Sequence, residues 1–373
     1  MQSKFSYWEN NSYFNSIDLL VVGSGIVGLN TAINFKKKNP TAKVLILERG
    51  VLPNGASTKN AGFACFGSVS ELLDDLTTNS EENVFSLVDK RWKGLQELRQ
   101  LIGDKNLDFQ NNYGLELFTN NDQELYNTCL DKINYLNKNL TSIVGAETYS
   151  NVSNTYGFNN INGVIKNKYE GQIDTGKMMT SLTRLAQELG IIIINNTLVT
   201  SINDNENNVE ITTNSTPNLY PKKVVVATNG FAKQLLELNV DPARAQVIIT
   251  KPIENLPFKG TFHYDKGYYY FRNIHNRVLF GGGRNLDFEG EKTTNLENTP
   301  LIIDELKRLL KEVILPNTKY EIEYTWSGIM GVGDTKQNIV KHYSKNIVCA
   351  VRMGGMGVAI GSLIGKEAAE LLN

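Results

Sequence analysis

Short continuous apolar runs alternate along this chain with longer stretches whose apolar positions recur at helical spacing, the pattern of strands threaded through helices. The run Ile17 to Val22, a helical stretch Ile26 to Lys38 closed by Asn39-Pro40, and a second run Val44 to Leu47 ending on Glu48 predict a first βαβ unit. A small-residue loop, Pro53 to Phe63, follows without either periodicity. Helices are predicted at about 81–102 and 122–140, with a strand at Leu115 to Thr119 between them. A helix at Thr175 to Leu189 stops at Gly190, and Ile191 to Ile194 reads as a buried parallel strand. Leu198 to Ile202 pairs with Val209 to Thr213 around an asparagine-rich hairpin tip, Asn203 to Asn208, and Lys222 to Thr228 is a further buried strand.

After Gly230 the pattern changes to a meander, with strands at Gln246 to Lys251, Tyr268 to Arg272 and Val278 to Gly281, then an amphipathic helix from Pro300 to Leu315. Strands at Glu321 to Trp326 and Asn346 to Val351 return to α/β order, and Gly354, Gly355 and Gly357 open a final helix to Leu372. The predicted fold is α/β: a discontinuous Rossmann-like dinucleotide-binding domain of residues 1–75, 150–245 and 325–373. An α+β substrate domain built on an antiparallel sheet is inserted as residues 76–149 and 246–324.

The segment Gly23-Ser24-Gly25-Ile26-Val27-Gly28 lies between the first run and its helix. In that setting Gly23 permits a tight turn, Gly25 lets backbone approach a pyrophosphate, and Gly28 lets helix and strand pack closely. The helix then points unpaired N–H groups and its positive dipole end at the phosphates. Glu48, ending the second strand, can accept hydrogen bonds from both hydroxyls of an adenosine ribose. Strand, glycines, helix, strand and acid in that order point to a dinucleotide site.

At 373 residues the chain exceeds what one core usually serves, in keeping with two domains. With 38 basic against 39 acidic side chains, the net charge of -1 offers no field for nucleic acid or an anionic membrane. Cys65, Cys129 and Cys349 are far apart and form neither a disulfide framework nor a zinc motif, so a reducing compartment is expected and no metal. The first residues lack the apolar core of a signal peptide, and no run is long enough for a membrane span, so a cytoplasmic enzyme is expected.

A nicotinamide enzyme usually needs one such grip, whereas a retained flavin is held along its whole length. Three further small-residue segments offer that hold: Gly55 to Phe63, Val224 to Gly230, and Met353 to Val358. In their order these segments resemble the D-amino-acid-oxidase-like family of FAD enzymes, which includes glycine and sarcosine oxidases and γ-glutamylputrescine oxidase. Ser6-Tyr7-Trp8, Gly55-Ala56-Ser57 and Trp326-Ser327-Gly328 are most similar to the last of these. The resemblance spans nearly the whole chain and is strongest in the first 65 and the C-terminal 50 residues.

The resemblance implies noncovalent FAD, with Gly23, Gly25 and Gly28 at the pyrophosphate, Glu48 at the adenosine ribose and Arg49 at the edge of that pocket. It places Ser57, Thr58, Asn60, Ala61 and Gly62 beneath the ribityl chain, and Val199 at the adenine. Thr228 to Gly230 would close over the pyrophosphate. Gly354, Gly355, Met356, Gly357 and Val358 would lie against the pyrimidine end of the ring, where a helix N-terminus stabilises the charge left by hydride arrival.

Oxidising a carbon–nitrogen bond this way needs a C–H aimed at flavin N5 and a neutral amine, but no dedicated base. His263, His275 and His342 fall in no catalytic or metal-ligand spacing and read as surface or satisfied residues. A substrate carboxylate would want an arginine fork. Candidates are Arg272 after the Tyr268 to Phe271 run, Arg284, Arg244, and above all Arg352 beside the Met353 to Gly357 turn; Tyr270 would wall the pocket. Gly328 to Lys336 departs from the family's amino-acid oxidases in having no arginine, which leaves Lys336 as a weaker substitute.

The expected reaction is dehydrogenation of a small amine or amino acid to an imine by hydride transfer, with oxygen or an electron carrier as acceptor. Three alternatives stand beside it: a flavin dehydrogenase of a 2-hydroxyacid or other C–OH substrate, the FAD domain of a tRNA-modifying enzyme, and a flavin-binding scaffold subunit.

Overall fold

The computed structural model describes residues 4–372, so positions 1–3 and 373 of the expected domain ranges lie outside it. A one-turn helix α1 (Tyr7–Glu9), capped by Ser6, precedes the first sheet. That sheet has six strands: β1 (Leu19–Val22), β2 (Val44–Leu47), β8 (Ile192–Ile194), β11 (Lys223–Val226), β17 (Ile339–His342) and β18 (Ile347–Val351), in the order β17-β18-β11-β1-β2-β8. All pairs are parallel except β17 with β18. The central strands are continuous Val/Ile/Leu runs because both faces are covered. Leu19, Val21, Val44, Ile46, Val225 and Val348 face a helical layer. Leu20, Val22, Leu45, Leu47, Val224 and Val226 face the hairpin β9 (Val199–Asp204) and β10 (Val209–Thr213).

The helical layer is α2 (Ile26–Lys38), α4 (Glu81–Ile102), α7 (Thr175–Glu188) and α9 (Gly357–Glu370). Gly361 and Gly365 let α9 lie directly against Ile26 and Asn30 of α2. As the pattern predicted, Ile192–Ile194 is a parallel strand, but as the sheet's edge it is only half-buried.

The second sheet has eight strands: β4 (Gly114–Thr119), β5 (Tyr149–Val152), β6 (Ile161–Asn167), β12 (Asp241–Thr250), β13 (Thr261–Tyr264), β14 (Tyr269–Ile274), β15 (Arg277–Gly282) and β16 (Ile322–Val332). Their order is β16-β12-β15-β14-β13-β4-β6-β5, antiparallel except for β13 with β4. One face, with Ile248, Phe262, Phe271 and Phe280, packs on α8 (Pro300–Leu309). The registers place Trp326, Val247, Gly281, Tyr270, His263 and Glu116 in one row on the other face. At its β4-β6 end that face is covered by α3 (Val69–Thr78) and α6 (Gln123–Val144); at the other end it forms a cavity floor.

Sheet membership departs from the expected ranges in three places, one being residues 241–245, which open β12 of the second sheet. Residues 149–167, assigned in the main to the dinucleotide unit, supply β5 and β6 of the second sheet, and residues 322–332 supply its edge strand β16. These strands mix polar and apolar positions, so their partners, and not their own composition, decide which sheet they join. The short pair β3 (Phe63–Ala64) and β7 (Gly171–Gln172) and the one-turn α5 (Asp104–Leu107) complete the architecture. It is the predicted class, an α/β dinucleotide-binding fold carrying an α+β unit on a largely antiparallel sheet.

Candidate functional site

Strands β1, β2 and β11 end on one edge of the first sheet, and the chain turns there at Gly23, Glu48 and Ala227. Gly23 takes φ +102°, a conformation that disfavours any side chain. A Cβ on Gly28 would collide with the Gly23 carbonyl oxygen, so the first turn of α2 closes onto the loop only because Gly28 has none. Glu48, 5% exposed, reaches across this turn. One of its oxygens accepts from Ser24 N and Oγ (3.1 and 2.8 Å), the other from Gly50 N (3.0 Å). The oxygen held by Gly50 keeps a lone pair for a further donor. Ser57 Oγ accepts from Ile26 N at 2.9 Å, tying the small-residue loop to the N-terminus of α2.

From this turn a cavity of about 500 Å³ runs between the two sheets. Glu48, Arg49 and Val199 line one end, Gly23, Gly25, Ser57 and Thr228 the middle, and Asn60, Ala61 and Gly62 the stretch beyond. Gly354, Gly355, Met356, Gly357 and Val358 bring the first turn of α9 to its wall. The Arg49 guanidinium lies 3.6 Å over the Phe231 ring. Thr228 Oγ1 is buried on this wall without a partner, a hydroxyl that a bound group would satisfy. Two helix N-termini, an acid at one end and an extended small-residue floor fit FAD.

Three of the expected cofactor residues support the cavity from behind. Thr58 turns back to donate to Pro53 O at 2.7 Å. Gly28 packs α2 on its loop, and Gly230 lets that turn approach the Met330 carbonyl too closely for a side chain.

At the far end the floor is the row of the second sheet, with Val247, Tyr270 and His263 in the wall and Phe63 facing them. Phe63 meets both Tyr270 and His263 edge-on, at 5.6 and 5.3 Å between centroids. Burial pushes the Tyr270 phenol up to about 12. The four arginine candidates separate cleanly. Arg352, the first choice, does not line the cavity: Nε donates to Gln337 O at 2.6 Å and Nη1 to Asn239 O at 3.0 Å, so its fork braces the loop after β16. Arg272 shares the face of Tyr270 but is spent under the small-residue loop, donating to Ile173 O (2.9 Å) and Gly62 O (3.2 Å), with burial lowering it to about 10. Arg244 is bound at 2.7 and 2.8 Å by Glu291. Arg284 alone of the four lines the cavity, and among the described residues its guanidinium has no hydrogen-bond or ion-pair partner, only the Phe288 ring at 4.7 Å.

Lys336 does reach the cavity, but its ammonium is engaged by Asp75 (2.7 Å) and Glu71 (3.4 Å), so it is not a free substitute for an arginine. Burial alone would raise Glu71; Arg91, 3.4 Å away, and Lys336 outweigh it and bring the carboxyl down to about 2. These acids sit on α3, a helix the sequence reading did not place, and Lys266 pairs with Asp74 of the same helix at 2.9 Å. Cys65 and His263 also line the cavity, and both are buried. His263 is therefore not a surface residue, and the alternation that makes it inward-facing becomes visible only once β13 is paired with β14.

A family model for FAD-dependent oxidoreductases, the DAO family, matches residues 18–371. No curated protein matches the sequence significantly. Among solved structures, a glycine oxidase from Bacillus cereus superposes with a TM-score of 0.77 at 16% identity, covering 95% of this chain and 97% of that one. L-proline dehydrogenase from P. horikoshii gives 0.74 at 17%, covering 96% and 93%. An iminodiacetate oxidase from Chelativorans sp. BNC1 gives 0.74 at 18%, covering 95% and 94%. No helix among the described residues is long and apolar enough to cross a membrane.

Proposed function

This chain belongs to the FAD-dependent oxidoreductase family, and from that premise we propose that it oxidises the C–N bond of a small amino acid or amine to an imine, which water then hydrolyses. The observation that carries the reading is Arg284, the one cavity arginine of the four with its fork unspent. Half-buried and unpaired, it favours an anionic group on the substrate, and a carboxylate matches its planar donors. In the same cavity, the faces of Phe63, Tyr268 and Tyr270 suit an ammonium or amine. A cation-seeking wall beside one free guanidinium is the charge pattern of an amino acid. The oxidase and dehydrogenase whose folds this chain shares are named for small nitrogen-bearing acids, in keeping with that pattern.

Bound FAD supplies the hydride acceptor. Gly23, Gly25, Ser57 and Thr228 would hold its pyrophosphate and ribityl region, Glu48 and Arg49 its adenosine end, and the first turn of α9 would favour negative charge at the ring by about 0.3–2 kcal/mol. Cys349 is internal to β18 and outside the cavity, and we take the cofactor to be noncovalent. The acceptor that reoxidises it is oxygen or an electron carrier. An anaerobic absorbance scan of the purified protein against amino acids, amines and 2-hydroxyacids tests the reading. Bleaching by an amino acid or amine supports it; bleaching by hydroxyacids alone overturns it. Admitting air then separates the two acceptors.

A further inference from the structure

Beside Arg284 the cavity carries a second cation that the amino-acid reading leaves unused. Lys266 sits in the turn between β13 and β14, and with Asp74 of α3 it lines the same cavity as Arg284 and Tyr268. Its ammonium meets Asp74 at 2.9 Å, with the two side chains 41% and 57% exposed, so the pair stands where the cavity opens to solvent. The bond to Asp74 holds Lys266 above the usual lysine range and takes one of its three N–H donors.

Two neighbouring strand ends bring Lys266 and Arg284 together. Tyr269 faces Gly282 across β14 and β15, and Gly283 N donates to Tyr268 O at 3.1 Å, so Gly267 and Arg284 are the next residues out on adjoining turns. Asn285 Nδ2 ties these turns by donating to Asp265 Oδ2 at 3.3 Å. With adjacent strands about 5 Å apart, the two long side chains can reach one small molecule.

The turn is a strained place for a lysine. Asp265 and Lys266 both take left-handed backbone, at φ +49° and +51°, ahead of Gly267 at +82°. Gly267 N closes the turn on Tyr264 O at 3.2 Å. Such a hairpin turn favours Asn-Gly or Asp-Gly, because glycine takes positive φ without steric conflict. Lysine at the second position keeps the strain and adds a charge to the wall of the cavity, and strain of this kind gathers where a side chain is in use.

The charges at this end indicate what Lys266 meets. Glu71 is bonded by Arg91 and Lys336, Lys336 also holds Asp75, and Asp74 is bonded by Lys266. His263 has Glu170 at 3.7 Å, and Asp265, off the lining, accepts from Asn285. Arg284 is left as the positive charge without a carboxylate. An amino acid with one carboxylate and its ammonium is neutral and leaves that charge uncancelled. A second carboxylate gives the substrate a net negative charge, which cancels it.

We propose that Lys266 reads a second anionic group on the substrate while Arg284 holds the first, so that the preferred substrate is an acidic amino acid. This rests on the amino-acid reading given above. The ammonium keeps its bond to Asp74 and turns its two remaining donors to the second carboxylate.

The test uses the FAD-loaded protein and the second-order rate of anaerobic bleaching. Aspartate is set against asparagine and glutamate against glutamine, each as both enantiomers. The members of a pair differ by one charge and little in size, so the ratio of their rates cancels any loss of active enzyme. The wild type should prefer the acid. In K266M that preference should fall about fivefold, the upper end for an exposed ion pair. K266G, which suits the turn and so keeps the fold, should lower it alike. A wild type that favours the amide or does not distinguish the pair, bleaching by uncharged amino acids but by none of these acids, or a preference unchanged in either variant overturns the proposal and leaves the amino-acid reading standing. If no amino acid or amine bleaches the flavin, that reading fails and the proposal with it.

Discussion

Replacing Arg284 by Met removes the fork and keeps a stem of similar length over the Phe288 ring. A hydrogen bond to a charged group contributes about 1.5–3 kcal/mol. Because Arg284 is half-buried and water competes for its fork, the lower part of that range applies, about 1.5–2 kcal/mol, or roughly a 10- to 30-fold rise in KM. The guanidinium holds a group remote from the bond that breaks, so kcat should change little. The assay is steady-state turnover of an amino-acid substrate and of the amine that lacks its carboxylate, with flavin absorbance confirming equal cofactor content. KM should rise for the amino acid and stay put for the amine. An equal rise for both would mean that Arg284 shapes the cavity and does not recognise the anion. No change for either would remove it from the site.

Arg352→Ala should leave KM within twofold while lowering urea stability by on the order of 1 kcal/mol, since it deletes the bonds to Gln337 and Asn239 and nothing in the cavity; a large KM effect would restore it as a clamp. Glu291→Ala strands the Arg244 guanidinium, 6% exposed against 2% for its partner, and should cost about 3–5 kcal/mol in a denaturant titration; a loss under 1 kcal/mol would mean that solvent reaches the arginine. Glu71 has a folded pKa depressed from 4.5 to about 2, so its contribution is present above pH 4.5 and disappears as pH falls through 2. Urea midpoints of wild type and Glu71→Gln should therefore be furthest apart near neutrality and converge on acidification, and a constant gap would contradict the assignment.

The glycine turn and the acid at the end of β2 were legible because their signals are local. Gly23, Gly25, Gly28 and Glu48 act within one βαβ unit, and the boundaries of α2 and β2 fall where the pattern put them. The far end of the cavity was not, because its residues converge through pairing between distant strands. Glu116, His263, Tyr270 and Val247 share a row only through the ladder from β4 to β12. An arginine's neighbours in sequence say little about where its fork goes. Arg352 sits beside the predicted flavin turn, yet with φ +67° its side chain leaves toward the Asn239 loop. Arg284, read as one candidate among several, is left free because the acid whose charge it feels, Glu291, is spent on Arg244 and Gln246. Helix α3 was overlooked although Val69, Leu72, Leu73 and Leu76 recur at helical spacing with its acids, Glu71, Asp74 and Asp75, off that stripe; at ten residues it offers only two turns of pattern.

The late position of β18 and α9 in the polypeptide has a consequence for synthesis. A ribosome delivers β1, α2 and β2 at the outset, but the strand beside β11 and the helix that lies on α2 come from residues 347–370. At about 5–20 residues per second, the greasy side of α2 waits roughly 15 to 65 seconds for its cover. During that interval the nascent half-sheet is open to holdase chaperones or to aggregation with its neighbours, and slowing initiation or cooling the culture should raise the soluble yield.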